Sequence, residues 1–346
     1  MREYFYGHLP DGSAVQAVVL NSESGAKVEI LQFGGIVRSL IIPDEKGNMA
    51  DVVLGMPSLE HYLAGHPWLG AITGRVAGRI TNGVFKIGEK KISLEINDPP
   101  NHLHGGSQAL DKQLWDIIDI GRDDGGEWVT LHHTSRSGDG GYPGEVDISV
   151  AYSLLHNNTL RIQYRATTDE ITPLSLTNHS YFNLAGEDNG PALDHEVEIA
   201  ATHIVPTDEN LTLLGKLVPV SGTADDFLSA RRLGDVVNNL LLQHGANYIF
   251  PEGKTPVPRF IARVREPQSG RAMEVWSTEK CLQFYTGRYL DKECWLGKSG
   301  SPYQRFQGLC FECQGYPDGV NTPEIEDILL RPGEVYSQIT EYRFLA

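Results

Sequence analysis

The run Leu176–Leu184, LTNHSYFNL, packs Thr177, Asn178, His179 and Ser180 together ahead of Tyr181, Phe182 and Asn183. An imidazole titrates near neutral pH, so His179 is a candidate general acid or base. A buried polar turn, in which Asn178 and His179 satisfy backbone groups, is the competing reading. Proton transfer needs a second titrating group. Glu312, within Gly308–Asn321 (GLCFECQGYPDGVN), is a carboxylate flanked by apolar residues in an apparent strand. Alternation puts it on the face opposite Phe311 and Cys313, with Gln314 further along its own face, where partial burial raises its pKa. A glutamate paired with an arginine such as Arg305 is the plainer alternative.

Three further stretches are too polar and too rich in glycine for a core: Gly74–Ile80 (GRVAGRI), Asn101–Gly106 (NHLHGG) and Leu282–Asp291 (LQFYTGRYLD). In an extended segment His102 and His104 would share a face, as metal ligands do, but no third ligand stands at a known spacing. Hydrogen bonding from His104 to a hydroxyl, with the glycines allowing close approach, is the other reading. Cys310 and Cys313 form a C-x-x-C in a strand, where their opposite parity argues against a shared metal or a redox pair. Arg75, Arg79, Gln283, Asn178 and Tyr181 add donors around the His179/Glu312 pair. Aromatic rings beside amides and a few charges suit a sugar. Phosphate-binding glycine loops, nucleophile elbows and dinucleotide fingerprints are absent from the sequence.

The elements that must position these groups are strands. Val146, Ile148, Val150, Tyr152 and Leu154 alternate with polar or small residues, as do Leu160, Ile162, Tyr164 and Ala166, and His156–Asn158 joins the two runs as a hairpin. Ile92, Leu94 and Ile96, Met273 and Val275, and the alternating end Ile339–Phe344 repeat the pattern. Period-two runs with one wet face predict antiparallel sheets packed in layers: an all-β chain, a single large antiparallel β-sandwich domain over 1–346 with few short helices. Only Asp226–Gln243 carries helical spacing. Lys plus Arg total 29 against 45 Asp plus Glu, a net charge of −16 that argues against nucleic acid or an anionic membrane as partner. Four cysteines in 346 residues are no disulfide framework, and Met1–Pro10 lacks the pattern of a signal peptide, so the expectation is a cytoplasmic protein.

In order and spacing these motifs resemble the aldose 1-epimerase (galactose mutarotase) family. GRVAGRI is similar to its G-R-x-x-N-R-I, NHLHGG to its N-x-L-H-G-G, and GYPG at Gly141–Gly144 to its turn before a strand. LTNHSYFNLAG matches L-T-N-H-x-Y-F-N-L-x-G almost throughout, and QFYTG at Gln283–Gly287 and the stretch from Glu312 to Asn321 complete the set. The resemblance runs from about residue 25 to the C-terminus and implies a galactose mutarotase-like supersandwich with an open sugar cleft. It implies catalysis by His179 and Glu312, and sugar contacts from Arg79, His104 and Gln283; Asn178, Tyr181 and Asn247 join them as binding candidates. Glu312 as carboxylate would take the proton of the anomeric hydroxyl while protonated His179 gives one to the ring oxygen, with no metal and no cofactor, on a free aldose, in a monomer or homodimer. A β-sandwich glycoside hydrolase, with Asp318 or Asp208 as second carboxylate, and a sugar-binding protein without turnover are the alternatives. Two positions depart from the pattern: Gly78 replaces an asparagine, and Gly245 stands where the family carries an aspartate that holds sugar hydroxyls. The second departure predicts weaker hexose binding and little discrimination between epimers.

Overall fold

The computed structural model describes residues 1–345, and strands dominate it. A nine-stranded antiparallel sheet runs in the order Asp116–Asp123, Gly126–Ser135, Val146–Leu155, Thr159–Thr168, Tyr336–Leu345, Ala272–Ser277, Arg259–Arg265, Glu196–Ile199, Arg231–Arg232. The hairpin expected around His156–Asn158 is present, with Tyr152 opposite Ile162 and Leu154 opposite Leu160. A six-stranded antiparallel sheet follows the order Tyr181–Phe182, Leu309–Gln314, Cys281–Tyr285, Ala246–Ile249, His203–Val205, Val218–Pro219. A five-stranded sheet holds the N-terminal part, from Arg2–His8 to Met49–Asp51.

One apolar core joins all three. It takes Val150, Tyr152, Ile162 and Tyr164 from the nine-stranded sheet, Leu282, Phe284 and Phe311 from the six-stranded one, and Val18, Val28 and Ile30 from the five-stranded one. Each strand contributes alternate residues because successive side chains point to opposite faces. Cys310 belongs to a separate cluster with Tyr181, Leu54 and Tyr303. Cys313 lies in the main core, so the two thiols of C-x-x-C do face opposite sides.

The helical expectation over Asp226–Gln243 is corrected: only Leu233–Val236 is helical there, one turn against the core. Its apolar residues Phe227, Leu233, Val236, Val237 and Leu240 are buried, but they cover the sheet from a series of turns. Apolar spacing marked the burial and not the backbone that achieves it. The other α-helix among the described residues is Leu59–Ala64.

Candidate active site

The six-stranded sheet turns one face to the core and the other to a cleft of about 830 Å³. Register decides what the cleft sees. Asn247 stands opposite Gln283, and Gln283 opposite Glu312, so the three form one row across neighbouring strands and all line the cleft. The next row is Tyr285, Cys310 and Tyr181. His179 comes from the chain entering this sheet. Thr177–Asn178 pairs with Ile72–Thr73, the His179 N–H donates to the Ala71 carbonyl (2.9 Å), and the His179 carbonyl accepts from Gly70 (3.0 Å). Backbone bonds on both sides therefore fix the ring's origin.

His179 Nε2 lies 3.6 Å from Glu312 Oε2, and both residues are almost sealed, at 5% and 2% exposure. Tyr181 stacks on the imidazole at 5.0 Å, and Cys310 Sγ sits 3.6 Å from its Nδ1. Among the described residues none hydrogen-bonds to the buried Oε2 of Glu312, His179 Nε2 lying just beyond bonding distance. Burial pushes the Glu312 carboxyl up to about 8, opposed by the Arg79 charge, and burial pushes His179 down to about 4. Between those two values the proton of the pair rests on Glu312 and His179 is neutral, the reverse of the carboxylate and imidazolium expected from the sequence.

Arg79 and His104 arrive together. Arg79–Ile80 pairs with His102–Leu103, and beyond it the Gly78 N–H donates to His104 Nδ1 at 3.0 Å. Gly105, at φ +93, lies so close to Gly74 that a Cβ would come within 1.9 Å of its carbonyl oxygen, which is why the histidine motif ends in glycine. The bond from Gly78 also fixes chemistry. A ring nitrogen that accepts holds its lone pair, so neutral His104 carries its proton on Nε2 and is a donor. His104, His179 and Glu312 offer atoms within 4.8 Å of one another, the spacing of a metal site. Yet one nitrogen of His104 is occupied and the other is protonated, so this donor set does not fit a three-ligand ion.

Of the binding residues read from the sequence, Arg79, His104, Gln283, Tyr181 and Asn247 line the cleft with His179 and Glu312. Asn178 does not. Its Nδ2 donates to the Gly70 carbonyl (2.6 Å) and its Oδ1 accepts from Ser180, so it builds the turn that presents His179. Arg75 is buried elsewhere, donating to the Pro143 and Ser135 carbonyls and holding the GYPG turn. Arg288 stays outside the cleft, beside Asn238. The pairing of His102 with His104 on one face fails because the strand stops at Leu103 and His104 takes φ +52. His102 instead packs edge-on against Tyr142, its Nδ1 2.7 Å from the Glu95 carbonyl. Arg305 pairs with Asp291, not with Glu312.

Gly78 leaves a mark: the buried Gln314 amide beside it has no protein partner. At Gly245, φ is +98 and a Cβ would meet the Gln283 amide at 2.2 Å, so the neutral amide of Gln283 fills the space a side chain would need. Two lining residues, Trp68 and Asp98, escaped the sequence reading. Trp68, at φ +55, sets its ring 4.6 Å from His104 and 6.1 Å from His179. Asp98 is ion-paired with Arg79. His244, beside Gly245, also lines the cleft, its ring tilted against Tyr289 at 4.3 Å. A tryptophan in His66-Pro67-Trp68 carries no titrating group to flag it. Asp98 stood three residues before the NHLHGG motif, and that closeness was the available signal.

Comparison with known proteins shows the family and the fold. A family model described as aldose 1-epimerase matches residues 16–343. The chain is 42% identical over 342 residues to the galactose mutarotase of Mus musculus, covering 98% of this chain and 97% of that protein. It is 33% identical over 343 residues to the aldose 1-epimerase of Escherichia coli K12, covering 97% of each. Among solved structures, an aldose epimerase homologue from C. elegans superposes with a TM-score of 0.87 at 28% identity, covering 96% of this chain and 99% of that one. A galactose 1-epimerase from Lactobacillus acidophilus gives 0.86 at 26% identity, covering 99% and 98%.

Proposed function

The chain belongs to the aldose 1-epimerase family and is an isomerase that interconverts the α and β anomers of a free aldose; from that premise we propose that Glu312 and His179 are its acid–base pair. The observation that carries the assignment is the contact of Glu312 Oε2 with His179 Nε2, sealed at the floor of a cleft with room for a sugar. The anomeric oxygen and the ring oxygen are bonded to the same carbon, so two groups this close can serve both at once.

The pair's single proton first passes from Glu312 to His179. In the ring-opening step the Glu312 carboxylate takes the proton of the anomeric hydroxyl while the His179 imidazolium protonates the ring oxygen. The bond from C1 to the ring oxygen breaks and an aldehyde forms. Glu312 is then protonated and His179 neutral, so ring opening returns the pair to the distribution that burial favours. The C1–C2 bond turns, the hydroxyl adds to the other carbonyl face and returns its proton to His179, and Glu312 protonates the new anomeric oxygen. His104 Nε2–H, Arg79 and Gln283 supply donors to the remaining hydroxyls, and Tyr181 holds the His179 ring.

A hydrolase needs a second carboxylate flanking the bond. Asp318 instead accepts from Thr81 and Asn321 outside the cleft; Asp208 lines the cleft, but its Oδ1 is taken by the backbone N–H groups of Asn210 and Thr212 in its own turn. We also take the chain to be one domain, since one core joins its sheets. We place it in the cytoplasm as a monomer or homodimer; no described helix is long and apolar enough to cross a membrane. The test is polarimetry on freshly dissolved glucose and galactose. Glu312→Gln and His179→Asn should each lower kcat by about 10²- to 10⁴-fold with the fold intact. A near-normal rate in either variant removes the pair from the mechanism.

A further inference from the structure

The wall of the cleft next to Glu312 carries an ion pair that the proton-transfer chemistry does not use. Arg79 Nε donates to Asp98 Oδ2 at 2.6 Å, and both residues line the cleft. Their side chains are only 21% and 35% exposed. A guanidinium has five N–H donors, and the bond to Asp98 is the one side-chain hydrogen bond Arg79 makes among the described residues. Asp98 Oδ1 is likewise without a side-chain donor. The wall therefore presents a set of charged donors directly beside a charged acceptor.

That edge is held rigidly. Asp98 and Asn101 exchange backbone bonds of 3.2 and 2.7 Å, closing the turn through Pro99 and Pro100. The neighbouring Asn97 clamps the turn to Leu103: its amide donates to the Leu103 carbonyl (2.9 Å) and accepts from the Leu103 N–H (2.8 Å). Leu103 is the register partner of Arg79. One short ladder thus sets both members of the pair, and a partly exposed ion pair contributes little to folding that would account for such fixing.

Its place along the cleft follows from the contacts. Arg79 follows Gly78, whose N–H is bonded to His104, and the His104 ring lies 5.4 Å from that of His179. Asp98 is bonded to Arg79 and makes no contact with His179 or Glu312, so it stands on the side of Arg79 away from the anomeric end of a bound sugar. At position 245, next to His244, there is no side chain.

We propose that Asp98, gripped by Arg79, is a specificity-determining residue that accepts a hydrogen bond from one hydroxyl of a vicinal diol while Arg79 donates to its neighbour. The inference rests on the aldose reading of the cleft and names the part of the sugar this wall selects: a pair of adjacent free hydroxyls on the ring, away from C1. Adjacent hydroxyls can engage the pair together, one donating to the carboxylate and the other accepting from the guanidinium, so that each charge has its own partner.

The test compares Asp98→Asn with the parent on glucose and on its monodeoxy derivatives lacking the hydroxyl at C2, C3 or C4. Asp98→Asn should raise KM for glucose about 10-fold, with most of the loss on KM rather than kcat. With one monodeoxy sugar that penalty should vanish, identifying the hydroxyl Asp98 reads. Asp98→Ala, which lacks the amide, should show the same pattern, and melting curves of both variants check the fold. A KM within about twofold of the parent's, or an equal penalty on every deoxy sugar, overturns the proposal. Glu312→Gln run in parallel separates the two readings: full activity there defeats the acid–base assignment whatever Asp98 does.

Discussion

The nine-stranded and six-stranded sheets bury their residues for different ends. Along Val146–Leu155 a buried residue alternates with a less buried one from end to end, because one face meets the core and the other meets water. Along Leu309–Gln314 every residue is buried. Phe311 and Cys313 enter the core on one side, while Cys310, Glu312 and Gln314 point the other way, towards His179 and the cleft floor. Polar atoms without hydrogen bonds gather on this second face: Glu312 Oε2 and both ends of the Gln314 amide have no hydrogen-bond partner among the described residues. Such atoms destabilise a fold when buried. One sheet is therefore built for stability, and the other holds polar groups whose burial shifts their proton affinities.

The sharpest way to break this contrast is to exchange the roles. Ile162, fully buried and opposite Thr340 and Tyr152, should cost about 2–5 kcal/mol of stability as Ile162→Ala, leaving kcat of the folded fraction unchanged. Glu312→Gln should do the opposite, removing turnover while keeping or raising the melting temperature, since it replaces a buried ionisable group by a neutral one. Chemical denaturation of both variants beside polarimetry checks this. A Glu312→Gln protein that unfolds as readily as Ile162→Ala would show that Glu312 is a structural residue.

The same contrast explains what the sequence discloses. Half-exposed strands print their alternation on the chain, so the hairpin at His156 and the C-terminal strand were legible. The site-bearing strand is buried on both faces and has no such rhythm; Glu312 stood out only as a carboxylate among apolar neighbours. Parity still worked there, placing Glu312 opposite Phe311 and Cys313. It failed at His102 and His104, where the backbone turns at His104 and an extended-chain rule no longer applies. Asn178 and Arg75 have the right chemistry but bind backbone groups, a distinction that depends on long-range partners. Trp68 and Asp98 reach the cleft from loops whose direction only the assembled sheets determine.

A second prediction concerns the protons. Between about 4 and about 8 the pair holds one proton, resting on Glu312. Below that window His179 takes a second proton and no base is left; above it Glu312 loses its proton and no acid is left. The profile of kcat/KM should be a bell with a plateau across the window, falling about tenfold per pH unit outside it. Unshifted groups would place the basic limb near the ordinary histidine value of about 6.5. A basic limb there would mean that the six-stranded sheet does not desolvate its site as the structure indicates.

The smallest effect is expected at Gly245, where the cleft wall lacks a side chain. A methyl group there would run into the Gln283 amide, the far end of a flexible side chain that can move aside. Moving it withdraws a donor and acceptor from the row formed by Asn247, Gln283 and Glu312. Gly245→Ala should therefore raise KM by about three- to tenfold, the loss of roughly one neutral hydrogen bond, with kcat less affected. The positive φ adds a separate cost of about 1–2 kcal/mol, visible in the melting temperature. The two effects separate in a double-mutant cycle. In a Gln283→Ala background no amide remains to displace, so Gly245→Ala should still lower the melting temperature but raise KM no further. An undiminished KM penalty in that background would mean that residue 245 meets the sugar directly, and the empty wall, not Gln283, would set how loosely the cleft holds its substrate.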